Sequence, residues 1–139
     1  MVWEQSEIEK ILCDLDAKQC IFPGYELVKV NNQLCLVGKG GFSSVYEIKC
    51  LENPEKKYVL KVMGFDKKIM TSENFWNTVK LQYSLSEQNQ YVCRLISARE
   101  LRIILDEEAR LQEVAEVQGE AWNEEGIHLQ FILMERLQD

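Results

Sequence analysis

Three glycines crowd into four positions at Gly38, Gly40 and Gly41, and the residues around them leave few folds open. The run reads Val37-Gly38-Lys39-Gly40-Gly41-Phe42-Ser43-Ser44-Val45-Tyr46. Glycine has no Cβ, so such a turn can take positive φ and bring backbone N–H groups close to an anion. Ser44 to Lys49 then favours a strand, through Val45, Tyr46 and Ile48. Glu52 to Lys57 is polar, contains Pro54 and predicts a hairpin connection. Tyr58-Val59-Leu60-Lys61-Val62 follows as a second strand, with Val59 and Lys61 on one face and Leu60 and Val62 on the other. A lysine in so apolar a run is out of place unless it meets an anion.

Other glycine motifs fit this run less well. A dinucleotide-binding loop has a third glycine and opens a helix. Here Ser43 takes the third position and the residues after it read as strand. A Walker-type loop needs a lysine and a hydroxyl residue directly after its last glycine, and Gly40 is not followed by that pattern. On the loop alone, an ordinary glycine turn in a β-hairpin also stays open.

The loop, the lysine strand and a later strand, in that order, resemble the N-terminal lobe of a eukaryotic-type protein kinase. In that family a glycine-rich loop covers the ATP phosphates and a lysine on the third strand pairs with them. The resemblance implies that Gly38, Gly40 and Ser43 take the three loop positions, with Lys39, Gly41 and Phe42 between them. It implies that Val37, Val45 and Val59 cover the adenine and that Lys61 is the phosphate lysine. Tyr91 to Ile96 resembles the entry to strand four, and Leu129 to Leu137 resembles strand five running into the hinge. Met134 then stands as the gatekeeper, with the backbone of Glu135 and Leu137 facing the adenine edge. The resemblance spans roughly Tyr25 to Asp139 and implies ATP as the ligand, in a serine/threonine-type kinase.

The rest of the chain reads as follows. Trp3 to Lys18 predicts an amphipathic helix, with Trp3, Ile8, Ile11, Leu12 and Leu15 at three- and four-residue steps. It serves either as a packing helix or as a docking element. Phe22-Pro23-Gly24 is a breaker, so residues 1–24 form a helical extension and 25–139 the lobe. Tyr25 to Val30 and Gln33 to Val37 are strand-like around an Asn31-Asn32 turn. Met63 to Thr71 reads as a loop. Ser72 is the expected N-cap of a helix to about Ser86, which by order is the family's αC. The family's αC glutamate pairs with the strand-three lysine. Here Thr78 falls in that place, with Gln82 one turn on and Glu73 nearer the helix start, so the usual ion pair is not expected. Arg94 to Glu100 fits strand four. Leu101 to Gly126 reads as an acidic helical insertion, because Leu111, Val114, Ala115 and Ala121-Trp122 have helical spacing. Ile127 to Leu137 is apolar on both faces and should be a central strand. His128 reads as structural.

The expected fold is therefore α+β, an antiparallel sheet of about five strands with an αC-like helix, the N-terminal helix and the insertion between strands four and five. The 139 residues suit one domain, and 46% hydrophobic content suffices for a core. A net charge of −7 argues against a nucleic-acid-binding surface. No 18-residue apolar run is present, so no membrane association is expected. The five cysteines are widely spaced with no C-x-x-C pair, which reads as free thiols in a reducing cytoplasm, and no metal site is expected. The H-R-D-x-x-x-x-N and D-F-G motifs, which supply the base and the Mg2+ ligands, do not occur. The sequence is thus expected to be a lobe without its C-lobe, inactive in phosphotransfer by itself and binding Mg2+ only with that second lobe. Its partners are then the C-lobe or another protein. A kinase-like interaction module that transfers nothing is the alternative. Apolar surface on the hinge strand and the underside of the sheet predicts self-association.

Overall fold

The computed structural model describes residues 4–40, 43–64, 71–88, 93–117 and 126–136. The elements in chain order are α1 (Gln5–Ala17), β1 (Tyr25–Leu27), β2 (Lys29–Val30), β3 (Gln33–Leu34), β4 (Leu36–Lys39), β5 (Ser43–Cys50) and β6 (Asn53–Met63). Then come α2 (Ser72–Gln88), β7 (Leu95–Leu105), β8 (Leu111–Glu116) and β9 (Ile127–Glu135). The fold is α+β, built on one antiparallel sheet in the order β1-β5-β6-β9-β7-β8, with β4 also pairing β5. Among the described residues seven strands form it, where about five were expected. The apolar strand β9 is central, between β6 and β7.

Period-two burial sets the two faces of this sheet. Along β5, Ser44, Tyr46 and Ile48 are buried while Ser43, Val45 and Glu47 are only half-buried. The first set joins Leu60, Val62, Phe131 and Leu133 in a large core, sealed by Ile8, Ile11, Leu12 and Leu15 of α1. The first helix therefore packs, as its apolar stripe predicts. Its C-terminus is closed by Gln19 at φ 54, with Gln19 N–H on the Asp16 carbonyl and Cys20 N–H on the Leu15 carbonyl. Asp16 Oδ1 accepts the Leu27 N–H at 3.0 Å, tying the helix to β1. Arg99 on β7 reaches the Cys20 and Ile21 carbonyls at 2.9 and 2.8 Å. The opposite face carries α2 over a smaller apolar cluster of Met63, Phe75, Val79, Leu95 and Ile132.

Several expectations change. The run Leu101 to Val117 is not helical: β7 continues to Leu105, and Leu111, Val114 and Ala115 lie in β8. The joining turn is built by Asp106, whose Oδ1 accepts both the Glu108 and Arg110 N–H at 2.9 Å. Ala121-Trp122 lies outside the described residues. The connection before β6 shrinks to Leu51-Glu52, because Pro54 is accommodated within the strand near its exposed start. The two strands expected before the glycine turn are one sheet edge interrupted by an excursion. The β2–β3 hairpin turns at Asn31 and Asn32, both at positive φ, and Val28 and Cys35 rejoin β5 through the two backbone groups of Glu47. Thr71, not Ser72, caps α2, its Oγ1 accepting the Asn74 N–H at 3.1 Å.

Candidate functional site

The face that α1 does not cover brings most of the expected residues together. In antiparallel pairing, directly opposed residues share a face. Val45 lies opposite Lys61, and Lys61 opposite Ile132. In the next row Glu47, Val59 and Met134 are opposed in the same way. Ser43 is opposite Met63 at the start of this face. This face therefore carries the apolar Val45, Val59 and Met134 as a floor, together with two half-buried charged side chains, Lys61 and, one row on, Glu47. Among the described residues no carboxylate stands within ion-pair distance of Lys61.

The glycine turn sits at one end of this floor. Gly38 is opposite Val45, after a bulge between Leu36 and Gly38 that holds the exposed Val37. Gly40 N–H donates to the Ser43 carbonyl at 2.8 Å and closes the hairpin. That amide is engaged internally. Gly41, Phe42 and Leu137 lie outside the described residues. Neither Gly38 nor Gly40 has positive φ. A Cβ at Gly38 would meet nothing within 4 Å, and at Gly40 only ordinary contacts of 3.7 and 3.9 Å to Ser43. The fold does not need glycine at either place. Gly126 differs: its φ is +113 and a Cβ there would lie 2.5 Å from the Ile103 carbonyl oxygen.

Two expected contacts point elsewhere. Lys39 is opposite Ser44 and turns to the α1 face, where its Nζ donates to Gln5 Oε1 at 3.3 Å. The same Gln5 amide donates to the Tyr46 hydroxyl. Burial and the neighbouring Glu9 push that hydroxyl up to about 12. Glu135 N–H donates to the Arg94 carbonyl at 2.8 Å, and its carboxylate pairs with Lys56 at 3.2 Å. Gln82, weighed from the sequence as a hydrogen-bond partner for Lys61, donates instead to Met134 Sδ at 2.8 Å. Thr78 and Glu73 are on exposed positions of α2.

A second polar group on this side was missed by sequence reasoning. Glu100 is only 4% exposed. Its Oε1 accepts Trp76 Nε1–H at 2.7 Å, and its Oε2 accepts from Ser72 Oγ at 3.2 Å and Gln130 Nε2 at 3.1 Å. His128 Nε2 lies 2.8 Å from the same Oε2. An ionised carboxylate only accepts, so this nitrogen carries a hydrogen. Burial pushes the Glu100 carboxyl up, but the donors His128, Gln130 and Trp76 together outweigh it and hold the group below the ordinary glutamate range. His128 is structural in this sense. The available signal was polar His128 and Gln130 two residues apart in an otherwise apolar strand. Their partner on β7 is 28 residues earlier than His128. No protein-family model matches the chain, and no curated protein matches it.

Proposed function

We propose that these residues form the ATP-binding lobe of a protein kinase of the serine/threonine type. The observation that carries the reading is the pairing of Lys61 with glycines the fold does not require. Gly38 and Gly40 leave space over the same floor on which the half-buried Lys61 has no carboxylate partner among the described residues. Absent side chains beside a cation that has no ion pair among the described residues suit a bound polyphosphate. Val45, Val59 and Met134 offer an apolar surface for a purine ring next to it. Mg2+ is not assigned to these residues, and among the described ones no group of three or more metal-ligating side chains is found. The chain contains no acceptor-orienting aspartate loop, so by itself it is expected not to transfer phosphate.

The test is calorimetric titration with ATP. Millimolar affinity is expected, about −4 kcal/mol, and should disappear in Lys61→Ala. Binding indifferent to Lys61→Ala would overturn the reading. A second reading rests on Thr78 standing where the resemblance would place the αC glutamate. It is a kinase-like interaction module that transfers nothing. No heat with ATP up to saturating concentration, together with a protein partner in solution, would favour it.

Among the described residues the exposed large apolar side chains are not on β9, whose centre is buried, but mostly on α2 and the β4 edge, with Val30, Leu51 and Ile96 elsewhere. They include Leu36, Val37, Trp76, Leu81, Tyr83 and Leu85. Self-association is expected through these, and light scattering of Leu81→Lys/Leu85→Lys against the wild type checks it.

A further inference from the structure

The four groups that surround Glu100 belong to two bodies. His128 and Gln130 are on β9, in the same sheet as Glu100. Ser72 and Trp76 are on α2. Among the described residues the apolar burial of this helix is limited: of its 17 residues Ser72, Phe75 and Val79 are buried, and Leu81, Tyr83 and Leu85 face solvent. The apolar cluster beneath it shares no residue with the core under α1. Apolar contact is non-directional and would let a lightly buried helix slide. Two hydrogen bonds to an ionised acceptor fix both position and rotation. Trp76 is 40% exposed, yet its indole N–H is turned inward onto Oε1. The ring is thus placed for the bond and not for burial.

We infer that Glu100 is a latch: a positioning residue that holds α2 on the sheet as a unit releasable separately from the rest of the fold. The carboxylate is poised for this. With α2 in place it has four donors. With α2 away it keeps two from β9, and water replaces Ser72 and Trp76. The charge is never stranded, so release needs no proton and leaves the α1 core intact. Through Gln82, the latch also sets the contact that α2 makes with Met134 beside Val59. Lys61 has no part in it. The inference does not depend on nucleotide binding.

Hydrogen exchange of the whole chain, resolved by peptide, tests it. In Glu100→Gln, exchange in residues 72–88 should rise about tenfold or more while residues 5–17 and 43–63 stay within about twofold of wild type. Ser72→Ala/Trp76→Phe keeps the carboxylate and its β9 donors and should give the same local pattern. Lys61→Met should leave α2 unchanged. Equal acceleration in α1 and α2 would make Glu100 a general structural residue and overturn the latch, as would unchanged α2 exchange in both variants. If Glu100→Gln does not fold, the Ser72→Ala/Trp76→Phe pattern alone decides.

Discussion

Among the described residues, eighteen buried apolar side chains form the core under α1, whereas the cluster under α2 has five and is joined by a carboxylate with four donors. Each face also buries an acid, and the two acids are treated oppositely. Asp16 has one backbone donor and its carboxyl is pushed up by burial, with Leu27 N–H opposing and Glu26 adding to the rise. Glu100 is held down despite burial, because its donors outnumber the cost. The difference separates a platform from a device. Burial of area makes the sheet and α1 one body, and directional bonds make α2 a positioned attachment.

The largest effect should come from breaking the platform. Leu12→Ala, at a fully buried position, is expected to cost about 3 kcal/mol in urea unfolding, with all elements lost together. Val79→Ala, under α2, should cost about 1 kcal/mol. Equal costs for the two would abolish the contrast between the faces.

The glycines sharpen it next. Gly126→Ala should lose about 2 kcal/mol, through positive φ and the close Ile103 carbonyl. Gly38→Ala should leave the unfolding midpoint unchanged and weaken ATP binding. A stability loss at Gly38 comparable with that at Gly126 would mean that the turn needs its glycine for folding.

Acid should act on the α2 face before the platform. Glu100 has a lowered folded pKa, so its stabilisation is complete above the ordinary glutamate value of 4.5 and is lost as pH falls through the lower folded value. With Trp3 and Trp122 replaced by phenylalanine, Trp76 emission should show a transition below pH 4.5 that Glu100→Gln removes. A midpoint above that value would contradict the donor arrangement. The smallest effect is expected at Asp16. Its raised folded pKa means that stability is greatest below the ordinary 3.8 and declines as pH rises through the folded value. Asp16→Asn keeps an acceptor for Leu27 N–H and should stabilise by less than about 1 kcal/mol at neutral pH. The gain should vanish in acid.

Strand alternation was the most legible signal. Val59 and Lys61 against Leu60 and Val62, and the two-sided apolar run of β9, translate directly into faces and centrality because the side-chain period is two. The β7–β8 hairpin was hidden for a local reason. Its turn carries no glycine or asparagine: Ala109 takes φ 60, and the Asp106 carboxylate supplies the bonds. The 3- and 4-residue steps of Leu111, Val114 and Ala115 then resemble a helix. Thr71 and Ser72 are two adjacent hydroxyls, of which Thr71 caps the helix and Ser72 donates to the distant Glu100. The Glu100 cluster draws on residues 72, 76, 100, 128 and 130, so no local window contains it.

The excursion at β2–β3 bears on how copies of this chain meet. A sheet edge with a long row of unpaired amides is a template on which another strand can add, and then another. Here that edge is cut into β1 of 3 residues and β4 of 4, with a small hairpin standing between them. The opposite edge, β8, carries exposed Glu113 and Glu116 in a 6-residue strand. Both borders thus resist open-ended growth. Whatever association the α2 surface drives should stop at small closed assemblies and not run on into fibres.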